Sequence, residues 1–138
     1  KAELAGTVRT LRTEMRDYAQ KRLTEIVEGL AAALGAGATI DYARNYPVTF
    51  NHDRETDFAA QVARKVAGSA AVNEEVAPMM AGEDFSYMLE ARPGAFIFLG
   101  NGKSASLHNP AYDFNDDAIP HGISYWVNIA ESALPAGD

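Results

Sequence analysis

Apolar residues recur every three or four positions in several stretches of the chain, a spacing that places them on one face of an α-helix. The longest such stretch is followed by Gly35, and glycine commonly occupies the position just after the end of a helix. Four helices are predicted from this spacing and from flanking cap and stop residues: 14–34, 53–68, 84–89, and a last helix that begins at Asp116 or Asp117 with Pro120 in its first turn.

Other stretches have the pattern of β-strands. Residues 6–11 are rich in β-branched side chains, residues 38–46 alternate apolar and polar positions, and residues 95–99 form a continuous apolar run between two glycines. The continuous run is typical of a strand that is covered on both faces. Strands interleaved with helices predict an α/β (α+β) fold, in which residues 1–50 form a strand–helix–strand unit and a second domain begins near residue 51.

Composition narrows the classes of function. The formal net charge is −7 over 138 residues, which argues against nucleic-acid binding because that binding depends on clustered Lys and Arg. No apolar run approaches the roughly 18 residues of a membrane helix, and no signal-peptide pattern is present. We therefore expect no nucleic-acid or membrane partner and a cytoplasmic protein. Because the sequence begins at Lys1 directly on a strand-like run, we also expect it to be a piece of a longer chain.

Three histidines are candidates for chemistry, and their surroundings rank them. His108 lies in a polar loop between the apolar run and the last helix, a position at which α/β proteins often bind ligands. On position alone, a solvated loop histidine remains the more common case. His121 is expected to be a surface or packing residue of the last helix, and His52 a turn residue near the domain boundary.

A second candidate site is the pair Gly82 and Glu83, just before the short helix. Acidic residues at a helix start usually reflect the helix dipole, but a glycine also lets the backbone approach a ligand. The chain has no cysteine, no HExxH motif, no phosphate-binding glycine loop and no nucleophile elbow. A hydrolytic metal site normally needs three or more protein ligands, and no credible second histidine ligand accompanies His108.

Three blocks, in order along the chain, carry a resemblance to a known family. They are GTVRTL at residues 6–11, PMMAGEDFSY at 78–87 and LHNPAYDFND at 107–116. The chain resembles the C-terminal part of the metal-dependent amidohydrolases that include hippurate hydrolase and N-acyl amino acid hydrolases, relatives of aminoacylase and carboxypeptidase G. The resemblance implies a two-domain metallo-aminopeptidase-like fold, with 1–50 as the second half of a lid (βαβ) domain and 51–138 as the end of the catalytic α/β domain.

The same resemblance implies the chemistry. His108 matches the family's metal-binding histidine, and Gly82 and Glu83 match a stretch that lines the active site, where we expect them to contact substrate. The family's other metal ligands and the glutamate that acts as general base have no match in this sequence, so we expect no catalytic residue here and no activity from this chain alone. Two divalent ions, of zinc, manganese, nickel or cobalt, are implied for the full-length enzyme.

The implied reaction is cleavage of the amide bond of an N-acyl amino acid, hippurate-like or related, by metal-activated water to give a carboxylate and an amino acid. The implied partners are the N-terminal half of the same enzyme and a second copy that forms a homodimer through the lid. One alternative stays open. In this alternative the chain is a non-catalytic α/β domain that binds no metal. It would mediate protein interaction or dimerisation through the amphipathic first helix and the strand edges.

Overall fold

A computed structural model of the protein describes residues 1–134, and the elements within that range are helical. Four α-helices follow one another along the chain, and a single 3-10 turn, Ser69–Ala71, comes after the second of them. Their bounds are α1 Thr13–Ala33, α2 Asp53–Ala67, α3 Phe85–Ala91 and α4 Ala118–Ala133.

The helices lie where the sequence predicts them, within one or two residues. The end of α1 is the most specific agreement. Gly35 adopts a left-handed φ of 69°, its N–H donates to the Ala32 carbonyl at 3.1 Å, and the N–H of Ala36 donates to the Ala31 carbonyl at 2.9 Å. These two bonds form the Schellman arrangement that satisfies carbonyls at a helix C-terminus. Pro120 is the third residue of α4, where its missing N–H costs no helical hydrogen bond.

The predicted α/β fold is wrong. Within residues 1–134 there is no β-strand, so neither a βαβ lid nor a sheet in a catalytic domain is supported. Residues 6–11, 38–46 and 95–99 carry no regular secondary structure. The physical reason is that β-branched and alternating residues favour extended backbone, but a strand also needs a neighbouring strand for its backbone hydrogen bonds. Nor is the apolar run covered on both faces, since Phe98 is 61% exposed.

The contacts divide the chain into two compact units, and the division is discontinuous in sequence. Unit 1 comprises Lys1–Phe50 and Ala77–Arg92, and unit 2 comprises Asn51–Val76 and the residues from Pro93 onward. The assignment of 1–50 to a lid and of 51–138 to a catalytic portion remains a prediction about function, and residues 135–138 of that portion lie outside the described range.

Unit 2 is organised by the packing of α2 against α4. Its buried apolar residues are small, which lets the two helices approach closely: Ala59, Ala60, Val62 and Ala118. Gly122 of α4 lets a different neighbour approach, because a Cβ atom there would come to 3.4 Å from the Leu99 side chain. Burial raises the pKa of the Tyr125 phenol, whose ring meets Trp126 edge-on at 5.6 Å. The helix pair therefore fixes the start of α4, where the loop that carries His108 ends.

Unit 1 contains α1 and α3, and α1 has no buried residue. Polar contacts connect α1 to the segment that follows it. The Arg44 guanidinium pairs with the Asp17 carboxylate at 2.6 Å and donates to the Gln20 side chain at 2.6 Å. Such exposed contacts fix geometry more than they add stability. Among residues 1–134, no helix combines the length and the apolar character that a membrane span requires.

Candidate metal-ligating loop

Two side chains hold the base of the loop that carries His108. The Asn101 amide donates to the Asp113 carbonyl at 3.0 Å and accepts from the Asn115 N–H at 2.7 Å. The Ser104 hydroxyl donates to the same Asp113 carbonyl at 2.9 Å and accepts from the Asp113 N–H at 3.1 Å. Four hydrogen bonds therefore close residues 105–112 into a loop without a strand ladder. Such closure restricts the loop even though its residues are mostly exposed.

The tip of the loop is a pair of consecutive turns, 106–109 and 109–112, and His108 lies within the first of them. The Asn109 N–H donates to the Ser106 carbonyl at 3.1 Å, and the Tyr112 N–H donates to the Asn109 carbonyl at 2.9 Å. The Asn109 side chain also accepts from the Ala111 N–H at 2.9 Å. These bonds are of the kind by which asparagine stabilises turns.

His108 has a left-handed backbone, with φ at 66°, and it is the one non-glycine residue with positive φ among residues 1–134. The side chain is exposed. A left-handed conformation costs an L-residue with a Cβ on the order of 1–2 kcal/mol relative to the right-handed one. Residues held in this way are often found at functional sites, where the surrounding structure supports the strain.

The carboxylates near His108 do not complete a metal site. Among the described residues, no group of three or more His, Asp or Glu side chains is placed to hold a metal ion. Asn115 instead holds the backbone around these carboxylates. Its side-chain oxygen accepts from the Asp117 N–H at 3.0 Å, and its carbonyl accepts from the Ala118 N–H at 3.0 Å. These bonds start α4. The described residues near His108 therefore offer one imidazole and no complete set of metal ligands.

Gly82 and Glu83 lie in unit 1, and their local contacts are structural. A Cβ atom on Gly82 would come to 3.2 Å from the Tyr46 ring, so glycine allows that ring to approach. Tyr46 also meets Tyr87 edge-on at 6.0 Å. The Glu83 carbonyl accepts from the Ser86 hydroxyl at 2.5 Å and from the Ser86 N–H at 3.2 Å, which begins α3. The substrate contact expected for these two residues stays a prediction.

Sequence reasoning missed the long-range contacts of Asn51 and His52 at the start of α2. The Asn51 amide donates to the Phe96 carbonyl and accepts from the Phe96 N–H, both at 2.8 Å. The backbone N–H of His52 donates to the Gly94 carbonyl at 3.0 Å, and the His52 ring nitrogen Nδ1 accepts from the backbone N–H of Gly94 at 3.2 Å. His52 is thus a structural residue of this junction. His121 lies exposed in the first turn of α4, as the sequence predicts.

Comparison with known families decides the affiliation. The sequence pattern of Peptidase family M20/M25/M40 matches residues 5–132, which is nearly the whole chain. The chain belongs to this family. The resemblance inferred from the three sequence blocks is confirmed.

Individual relatives give the same result. The chain is 33% identical over 129 residues to a hippurate hydrolase of Campylobacter jejuni, with 94% of this chain and 34% of that protein covered. It is 30% identical to an N-acetylcysteine deacetylase of Bacillus subtilis (96% and 34% covered) and 36% identical to an N-acetyldiaminopimelate deacetylase of Streptococcus sanguinis (88% and 32% covered). The chain therefore spans about a third of the length of these M20 relatives.

Proposed function

We propose that this M20 chain is the C-terminal part of an amidohydrolase and that its contribution to catalysis is one metal-ligating imidazole, His108. The protein would cleave the amide bond of an N-acyl amino acid to give a carboxylate and an amino acid. Supporting this class of substrate, the relatives are named for hydrolysis of hippurate and for removal of acetyl groups from cysteine and diaminopimelate.

The observation that carries the proposal is the left-handed backbone of His108 at the tip of a loop closed by Asn101 and Ser104. Glycine would occupy such a position at lower cost, and an exposed histidine kept there is consistent with a use for the imidazole itself. The closed loop limits the directions in which the ring is presented. A metal ligand needs such orientation because coordination distances and angles are restrictive.

A bound divalent ion would supply a lowered pKa for water and polarisation of the amide carbonyl. The residues of this chain would hold and orient one ligand, and the four hydrogen bonds at the base of the loop would keep that ligand in place. The general base and the remaining ligands would come from the part of the enzyme that matches the other two thirds of its relatives. The two ions, and their identity as zinc, manganese, nickel or cobalt, remain predictions. Gly82 and Glu83 would contact the substrate.

Metal removal tests the reaction class. The full-length protein that contains this chain should hydrolyse at least one of hippurate, N-acetylcysteine and N-acetyldiaminopimelate, as measured by release of the free amino group. Chelation should lower that rate by about a hundredfold or more, because the activated water is lost, and one divalent ion should restore it. Undiminished hydrolysis after verified metal removal would refute the metal-dependent mechanism.

The homodimer implied for residues 1–50 has a separate observation in its favour. Apolar side chains of α1 are largely exposed, with Ile26 at 53% and Leu30 at 60%, and such a surface is typical of one that a partner covers. We expect the full-length protein to elute as a dimer in size-exclusion chromatography with light scattering. Ile26→Glu should shift it to a monomer, whereas Glu28→Gln, a control change on the same exposed helix, should not. An unchanged mass for Ile26→Glu would contradict a dimer through α1.

A further inference from the structure

Asn101 and Gly102 form the one Asn–Gly pair in the sequence. The chain has seven asparagines, and each of the other six is followed by a residue that carries a side chain. An Asn–Gly pair is prone to deamidation, because glycine has no side chain to hinder the approach of its own nitrogen to the asparagine amide. The pair lies at the base of the loop that carries His108, in a stretch without regular secondary structure.

Deamidation of this pair is a ring closure within the chain. The Gly102 backbone nitrogen attacks the Asn101 side-chain carbon Cγ, so that a bond forms between these two atoms and the Cγ–Nδ2 bond breaks. Nδ2 leaves as ammonia, with the electron pair of the broken bond and with the proton that the Gly102 N–H gives up. Water then opens the succinimide ring at either of its carbonyls, which leaves aspartate or isoaspartate at position 101.

In the folded chain, hydrogen bonds hold only one of the two reacting groups. The Gly102 N–H is paired with no acceptor among residues 1–134. The Asn101 amide is engaged at both ends, since Nδ2 donates to the Asp113 carbonyl at 3.0 Å and Oδ1 accepts from the Asn115 N–H at 2.7 Å. Ring closure expels Nδ2 and must break its bond to Asp113, so the folded loop base slows the reaction.

The product of the reaction lacks a donor that the loop base uses. An aspartate at position 101 could still accept from the Asn115 N–H, but its carboxylate has no proton for the Asp113 carbonyl and places a negative charge against that oxygen. Isoaspartate changes the base further, because it adds a methylene group to the main chain. The Ser104 hydroxyl would then hold Asp113 without the help of Asn101.

We propose that Asn101–Gly102 is a site of spontaneous deamidation and that its conversion loosens the loop that carries His108. The hydrogen bonds of the loop base delay the reaction in the folded protein, and the reaction in turn destroys one of them. The consequence for metal binding rests on the proposed function, because it requires His108 to be a ligand. The modification itself does not depend on that role.

Peptide mass spectrometry of the full-length protein, aged at mildly alkaline pH, tests the modification. The peptide with Asn101 should gain the mass difference between NH2 and OH, partly as isoaspartate, whereas the peptide with Asn73, which is exposed and precedes Glu74, should not. Ser104→Ala holds Asp113 less firmly and should speed the conversion by about fivefold, a factor that corresponds to the net contribution of one hydrogen bond. No conversion at Asn101, equal conversion at Asn73, or an unchanged rate in Ser104→Ala would overturn the proposal.

Asn101→Asp tests the consequence for the loop without ageing. Titration of the metal-free full-length variant with Zn²⁺ should show binding about fivefold weaker than in the unaltered protein, again the factor for one lost hydrogen bond. Asn73→Asp is the matched control, because it adds the same charge in unit 2 while its side chain can still accept from the Glu75 N–H. Zn²⁺ should bind this control normally.

The outcomes separate this proposal from the assignment of His108. Unchanged Zn²⁺ affinity in Asn101→Asp, or an equal loss in Asn73→Asp, would overturn the loosening of the loop and leave the assignment of His108 intact. Zn²⁺ binding that His108→Ala leaves unchanged would overturn the proposed function and, with it, the consequence for metal binding. The mass gain at Asn101 would stand in that case, because it is measured without reference to metal or activity.

Discussion

Replacement of His108 by alanine should reduce amide hydrolysis by the full-length protein at least about a hundredfold, because the proposed ligand of the catalytic metal is removed. Metal content, measured by elemental analysis after gel filtration, should fall in parallel. His121→Ala is the matched control, since it removes an exposed imidazole of unit 2 that lies in α4 instead of the loop. Normal turnover and metal content in His108→Ala would refute the assignment, as would an equal loss in His121→Ala.

The left-handed backbone of His108 predicts that a substitution there can lower activity and raise stability at the same time. His108→Gly should reduce activity at least as much as His108→Ala, yet it should raise the free energy of unfolding by up to about 1 kcal/mol. Glycine removes the cost of positive φ, and the gain is partly offset by the greater freedom of the unfolded chain. Thermal or urea unfolding of the full chain measures this difference. If His108 were kept for packing, His108→Gly would instead lower the free energy of unfolding. His121→Gly, inside a helix, should lower the free energy of unfolding by about 1 kcal/mol.

Truncation of Asn51 to alanine should have the largest effect on stability, a loss of roughly 2–3 kcal/mol. The Asn51 side chain makes two hydrogen bonds of 2.8 Å to the backbone of Phe96, and both groups are partly buried. Removing one partner of a buried hydrogen bond costs more than the bond contributes on average, because the remaining group has lost its contact with water. Urea unfolding followed by circular dichroism measures the change.

Asn101 provides the matched control for Asn51. Its side chain also bridges a backbone carbonyl and a backbone N–H, those of Asp113 and Asn115, but the contacts are exposed. Water can replace them, so Asn101→Ala should cost about 1 kcal/mol or less. A loss at Asn101 that equals or exceeds the loss at Asn51 would show that burial does not set the energetics of these bridges.

The helices could be predicted from the sequence because their information is local. The apolar spacing of α1, the glycine after it and the position of Pro120 each act within a few residues, and each prediction is confirmed. The strands could not be predicted in this way. Residues 95–99 have the composition of a buried strand, but strand formation depends on a neighbour distant in sequence, and in the described structure the backbone of Phe96 bonds instead to the Asn51 side chain.

The candidate site was partly accessible from the sequence. The loop position of His108 follows from its place between the apolar run and the last helix, and the metal role predicted for it rests on the family resemblance. The left-handed φ of His108 could not be predicted from the sequence, because only a few per cent of non-glycine residues have positive φ and no glycine marks the turn. Asn51 was overlooked for a different reason. An asparagine just before a helix ordinarily belongs to the turn or the cap, whereas here its partner is 45 positions away.

The Asn51 bridge has a further consequence for solubility. An extended apolar segment with free backbone groups is a template for edge-to-edge association, the first step toward amyloid-like aggregates. Residues 95–99 are such a segment in composition, and at Phe96 a side-chain amide already occupies both the donor and the acceptor. Loss of this bridge should therefore make the protein more prone to polymerise, and thioflavin binding by aged Asn51→Ala protein would measure the change.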